Sequence, residues 1–214
     1  MKKVVFILTL LGVCGALSTN AQGLFDKKEI NFFNTPNYYE TKGKVPVVDG
    51  KVKFIANYSI PEKNKDEIYE TLESWAKVRF NANIEEGKWN DSCYIHNYEK
   101  AGLSMLDKGN GVIVCVGDEE IVFRSTALER DATRIQYTLY ITIKDGSINA
   151  DVRNISYIYD FTTTPSRVTA EKWITDKYGL NKKGKLAKYS GKFRAKTVDL
   201  ADLLFEQIRK IVTE

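Results

Sequence analysis

The sequence predicts an α+β fold: one curved antiparallel sheet of about five strands, with a helix after the first strand and a C-terminal helix packed on it. Three observations carry this expectation. Residues 137–157, YTLYITIKDGSINADVRNISY, alternate apolar and polar side chains on both sides of an Asp-Gly pair. Residues 64–80, NKDEIYETLESWAKVRF, place apolar residues at helical spacing. The chain closes with TVDLADLLFEQIRKIVTE, in which Leu200, Leu204, Ile208 and Ile211 form one apolar stripe.

Taken in order, the first 21 residues read as a secretory signal: Lys2 and Lys3, then the apolar VVFILTLLGVCGAL, then small residues before a cut after Ala21. The apolar run is short for a membrane span, which needs about 20 residues. Export to the periplasm or cell envelope is therefore expected, with Gln22 as the new N-terminus. Cys14, in LGVC, sits where a lipidated cysteine could lie, but the bulky Val13 before it disfavours that reading. No other stretch is apolar enough to span a bilayer. Cleavage takes away two lysines and no acid, so the formal charge falls from +4 to +2.

Residues 22–44 read as an irregular arm whose aromatics (Phe25, Phe32, Phe33, Tyr38 and Tyr39) pack on the domain; free tails are rarely so aromatic. One α+β domain then runs from 45 to 214. Asp49-Gly50 marks a tight turn, and Val52, Phe54, Ala56 and Tyr58 alternate as the buried side of a strand over 51–59. Pro61 ends it. Asn64 suits the N-cap of the next helix, with Ile68, Leu72, Trp75, Val78 or Arg79, and Phe80 facing inward. SCYIHNYEK and GVIVCVG read as a hairpin that places Cys93 opposite Cys115 and Ile95 opposite Ile113. Asp118-Glu119-Glu120 reads as a solvated acidic turn before a further short strand.

In the long hairpin a two-residue turn at Asp145-Gly146 pairs Ile143 with Ile148, Ile141 with Ala150 and Leu139 with Val152. Every one of those pairs is apolar on both sides. Beyond Arg153 the apolar positions switch parity, to Ile155, Tyr157 and Tyr159, which predicts a bulge near Arg153-Asn154. TAEKWITDKYG reads as a short helix closed by Gly179, NKKGKLAKYSGKFRAK as a basic, Gly-broken loop, and Thr197 as the cap of the last helix.

The run from Val48-Asp49-Gly50 through Val52 and Phe54 to Lys65-Asp66-Glu67-Ile68-Tyr69 and Trp75, with the later long hairpin, resembles a family of secreted domains of unknown function from Bacteroides-type bacteria. The resemblance spans 45–159 and departs from the family pattern across 82–110. It implies a TBP-like fold. It brings no active site, and a TBP-like topology does not imply DNA binding.

Composition narrows the chemistry. With 32 basic and 28 acidic residues, no charge bias points to nucleic acid. His96 is the single histidine, and on a strand it points away from Cys93, so no local thiol–imidazole dyad forms. No Walker loop, G-x-S-x-G elbow or H-E-x-x-H motif occurs, and no cofactor or metal is implied. Cys93 and Cys115 remain an even pair after cleavage, and the assumed register brings them within reach of a disulfide. Lys182, Lys183, Lys185, Lys188, Lys192, Arg194 and Lys196 gather between 181 and 196 without an acid, the composition of an anion-contacting surface. The favoured reading is a non-enzymatic secreted or envelope protein that binds an unidentified small ligand or envelope partner on its curved sheet. The alternative is a hydrolase with a carboxylate pair that one sequence cannot reveal.

Overall fold

The computed structural model describes residues 37–81, 97–125, 128, 130–159 and 166–214. The expected signal segment (residues 1–21), the expected arm up to residue 36, Cys93 and His96 lie outside the described residues. The described chain is α+β. Among the described residues there are eight strands: β1 (Val47–Val48), β2 (Lys51–Val52), β3 (Phe54–Ser59), β4 (Gly102–Asp107), β5 (Val112–Ser125), β6 (Arg130–Lys144), β7 (Ser147–Tyr159) and β8 (Ser166–Thr169). The helices are α1 (Lys65–Arg79), the short α2 (Asp176–Gly179) and α3 (Gly191–Thr213). β1 and β2 form a small hairpin, with Asp49 and Gly50 both at positive φ (49° and 74°). The main sheet is antiparallel, in the order β3-β7-β6-β5-β4, with β8 beside the far end of β7. It has six strands where about five are expected, because Gly102–Asp107 is a strand the sequence pattern does not announce.

The long hairpin takes the register that alternation demands: Ile143 faces Ile148, Ile141 faces Ala150 and Leu139 faces Val152. The bulge follows where parity switches. Thr138 pairs with Arg153 but Gln136 pairs with Ser156, and Asn154 takes a left-handed φ of 55°. A short polar side chain tolerates that conformation, so the strand bends there and Tyr157 returns to the core face.

Asn64 begins α1 with a full capping box, its side chain accepting from the Glu67 N–H while Glu67 accepts from the Asn64 N–H. Ile68, Leu72, Trp75, Arg79 and Phe80 turn inward while Val78 is exposed. α3 starts six residues before the expected cap. Thr197 lies inside it, buried, donating to the Phe193 carbonyl at 2.8 Å and sharing a 2.6 Å hydrogen bond with the Tyr157 hydroxyl. A hydroxyl satisfied in this way needs no helix end. Leu200, Leu204 and Ile208 then bury against the sheet, and the Tyr58 hydroxyl donates to the Phe205 carbonyl at 2.9 Å. Phe193 sits among Phe123, Tyr157, Tyr159 and Trp173, with ring centroids 4.6–5.8 Å away. Both long helices therefore pack on the sheet face that carries Ile113, Cys115, Ile135, Leu139 and Tyr157.

Two readings of the middle of the chain are corrected. Cys115 is flanked in the sheet by Leu103 on β4 and Leu139 on β6, so neither neighbouring position is open to Cys93. The preceding segment instead bridges Asn97 to Glu119, a slip of eight residues from the alternation-based register. Both registers satisfy the two-face pattern, and pairing of β4 with β5 decides between them. Asp118-Glu119-Glu120 is likewise not a turn: β5 runs straight through it.

Candidate functional site

The acidic run explains itself through its partners. Alternation sends Glu119 to the helix face and Asp118 to the opposite one. Glu119 meets Arg79 at the end of α1, whose guanidinium nitrogen donates to both carboxylate oxygens at 3.0 and 2.9 Å, and the Tyr137 hydroxyl donates to the same group. Arg79 and Glu119 expose 0% and 6% of their side chains. The Tyr137 ring crosses β5 at Gly117, where a Cβ would come within 2.1 Å of it. Asn97 donates to the Arg79 and Asn81 carbonyls and so closes the end of α1. Burial first, then the Glu119 charge, holds the Tyr137 hydroxyl well above its ordinary pKa. This cluster is a buried structural joint.

The opposite face differs. It carries Lys53, Ile55 and Asn57 at one side, Thr138, Tyr140, Asn149, Asp151 and Arg153 centrally, and Asp118, Arg134 and Gln136 towards β5. Among the described residues, its polar contacts run between strand and loop residues, with no helix involved. One design appears twice there. Asp118, fully buried, takes Arg134 in a two-pronged pair at 2.7 and 2.6 Å, and that guanidinium lies 4.3 Å from the Tyr98 ring centre. Asp151, also buried, faces Arg153 at 3.0 Å and Lys53 at 3.4 Å, and Arg153 lies 4.3 Å from the Tyr140 ring centre. The Arg153–Asp151 approach is an ion contact whose angle does not make a hydrogen bond, which leaves that buried carboxylate oxygen without a donor. Arg167 on β8 adds a fourth cation and donates to the Ser156 hydroxyl at 2.9 Å.

The electrostatic layout follows from depth. Both carboxylates form the floor, while Arg134, Arg153 and Lys53 keep 18%, 33% and 29% of their side chains in solvent. A ligand arriving on this face meets fixed donors before it meets acids. A guanidinium already held between carboxylate and ring loses little freedom when it binds again. Beside this polar stripe Val112, Val116 and Met105, 51% exposed, supply apolar surface.

The seven basic residues singled out in the sequence do not form one surface. Arg194 is fully buried: it donates to the Tyr39, Ile174 and Thr41 carbonyls at 2.7, 2.9 and 3.0 Å and lies 2.9 Å from Asp176. It fastens two segments to α3, because backbone carbonyls of residues 39 and 41 and of residue 174 converge on one planar fork of donors. Lys192 is half-buried, bonded to Asp131 at 2.6 Å and Tyr159 at 3.1 Å. Lys185 pairs with Glu40 at 2.8 Å, and Lys196 approaches Asp199 at 3.9 Å. Lys182, Lys183 and Lys188 are exposed. Tyr38 and Tyr39 pack on α3, donating to Asp202 and Asp199, both at 2.6 Å. An open recess of about 490 Å³ beside them is lined by Asn37, Glu40, Lys185 and Leu186, and the Lys185–Glu40 pair already ties its walls. Among the described residues no group of three His, Cys, Asp or Glu side chains could hold a metal ion, and no helix is long and apolar enough to cross a membrane.

Sequence reasoning does not bring out the two Asp–Arg–Tyr units: Asp118, Arg134 and Tyr98 stand far apart in the chain, and Asp151 and Arg153, two apart on β7, meet the Tyr140 ring only through the β6–β7 pairing. The one available signal is that Asp118 and Asp151 fall on the polar side of strands otherwise rich in valine, isoleucine and leucine.

Comparison with known proteins agrees with this architecture. No curated protein matches the chain. A crystal structure of a DUF4468 family protein from Bacteroides ovatus is 32% identical with a TM-score of 0.72, covering 84% of this chain and 96% of that one. A crystal structure of a TBP-like protein from Parabacteroides distasonis is 21% identical with a TM-score of 0.62, covering 80% and 98%, and speaks to the fold alone. Residues 54–158, from the first strand of the main sheet through the bulged hairpin, match the family described as "Domain of unknown function (DUF4468) with TBP-like fold", and the chain belongs to that family.

Proposed function

We propose that the protein is an exported, non-enzymatic binding module of the periplasm or cell envelope, released from its signal peptide after Ala21, that holds a small anionic ligand on the open face of its sheet. The observation that carries the reading is the pair of guanidinium groups, Arg134 and Arg153, fixed over buried carboxylates on a face that no described helix covers. Rigid, solvent-facing donors above a neutralising floor match a carboxylate or phosphate that brings its own negative charge. The Lys2-Lys3, apolar and small-residue pattern supports export. No observation favours the carboxylate-pair hydrolase: Asp118, Glu119 and Asp151 each face a cation rather than one another. The test is mass spectrometry of small molecules retained by the protein purified from its native host, run beside Arg153→Gln, which leaves Lys53 to neutralise Asp151. An acidic molecule present on the wild type and lost from the variant is expected. The same molecules on both proteins, or none on either, would refute the reading.

A further inference from the structure

We infer that the loop spanning residues 176–190 is a docking surface for an anionic lipid bilayer. The loop is a built unit. Leu180 and Leu186 bridge its two limbs, the Ala187 N–H donates to the Gly179 carbonyl at 2.9 Å, and the Ser190 hydroxyl donates to the Tyr178 carbonyl at 2.6 Å. At the tip the Asn181 side-chain oxygen accepts from the Lys183 and Lys185 N–H groups at 2.8 and 3.1 Å, and Gly184 takes a φ of 74°. One limb carries Lys177-Tyr178, the other Lys188-Tyr189, and the tip carries Lys182-Lys183. All four lysines are exposed, and so are the two tyrosines, Tyr178 by 42% and Tyr189 by 70%.

The neighbouring acids point elsewhere. Asp176 accepts from the Gly43 N–H at 2.8 Å and lies 2.9 Å from the buried Arg194, and Glu40 holds Lys185. Among the described residues none of Lys177, Lys182, Lys183 and Lys188 pairs with a carboxylate. The loop thus presents four ammonium groups interleaved with two phenol rings. Lys177 and Lys188 lie 4.9 and 5.4 Å from the ring centres of Tyr178 and Tyr189, so charge and ring travel together. Lysine is drawn to a phosphate-bearing surface, and a tyrosine ring settles at headgroup depth with its hydroxyl in water. A free anion would need convergent donors, whereas these ammonium groups are spread along two limbs and a tip. A purely acidic polymer would leave the exposed rings without a role. The inference is independent of the sheet-face reading, and its failure would leave that reading untouched.

The experiment is co-sedimentation of the exported protein with vesicles of phosphatidylcholine alone and of equal parts phosphatidylcholine and phosphatidylglycerol. Sedimentation with the anionic vesicles only is expected, weakening as salt shortens the screening length to about 10 Å at 0.1 M. Each lysine near such a surface contributes roughly a fivefold factor in affinity, so Lys182→Gln/Lys183→Gln/Lys188→Gln should bind about 100-fold more weakly. Tyr189→Ser, at unchanged charge, should lose several-fold. Unchanged thermal melting would show that both variants fold. Equal sedimentation with both vesicle types, none with either, or wild-type binding by the triple variant would overturn the inference. An effect of the lysines without one of Tyr189 would also overturn it and favour an acidic glycan. Release of the protein by millimolar inorganic phosphate at constant ionic strength would point to a soluble anion instead.

Discussion

Replacing Glu119 by leucine should come close to unfolding the protein. The carboxylate lies on the core side of β5 with 6% of its side chain exposed, against a guanidinium with none. It accepts from Arg79 at 3.0 and 2.9 Å and from the Tyr137 hydroxyl. Removing it leaves a buried cation uncompensated, a loss of about 3–5 kcal/mol. The hydroxyl left without its acceptor adds about 1–3 kcal/mol. The sum is comparable with the whole stability of a typical domain, about 5–15 kcal/mol. Glu119→Gln keeps one carbonyl acceptor and should cost about 1.5–3 kcal/mol, the worth of a hydrogen bond to a charged group. The informative variant is Arg79→Met/Glu119→Leu. Removing both charges removes the desolvation burden, so the double variant should be more stable than Glu119→Leu alone. Urea unfolding followed by fluorescence of the buried Trp75 measures all of these, with an unchanged m-value required for comparison. A cost below about 1 kcal/mol for Glu119→Leu, or a double variant equal to the sum of the singles, would show that the acids of β5 are solvated after all.

Gly146 has a φ of 61°, and a Cβ there would lie 3.2 Å from the Pro61 Cα; Gly146→Val should therefore cost about 1–3 kcal/mol in urea unfolding, and an unchanged midpoint would contradict the turn. Burial pushes the Tyr58 hydroxyl up to about 12 from an ordinary 10.0. A raised folded-state value means that stability is intact below the unfolded pKa and falls as the pH climbs through the folded one, so melting temperature should hold to pH 10 and drop between 10 and 12. Burial also raises the Cys115 thiol to about 12, so it should resist a thiol reagent at pH 8 until urea is added. N-terminal sequencing of the protein from its native host should begin at Gln22; a start at Cys14 or at Met1 would contradict the export reading.

Legibility in the sequence followed the range of the interactions. The long hairpin was legible because a period of two leaves one register that keeps Ile143, Ile141 and Leu139 facing apolar partners, and its bulge because parity switches at Arg153. α1 was legible from its cap to Phe80. The β4–β5 pairing was not, because SCYIHNYEK offers Cys115 a partner as apolar as Leu103. The acidic run reads as solvated because its partners Arg79 and Arg134 stand 40 and 16 residues away from Glu119 and Asp118. Arg194 reads as surface because nothing local announces that carbonyls of Tyr39, Thr41 and Ile174 will meet it. The open face has the same character: its floor of Asp118 and Asp151 exists only once three strands are side by side.

The central claim, that this open face is the working surface, is tested most directly by hydroxyl-radical footprinting in the native host against the purified, ligand-stripped protein. Met105, 51% exposed, and Tyr140 report on the open face, and Leu128, 99% exposed, serves as the reference away from the regular strands. The account predicts that Met105 and Tyr140 are oxidised markedly less in cells than in isolation while Leu128 is unchanged. Equal oxidation of Met105 and Tyr140 in both settings would contradict it.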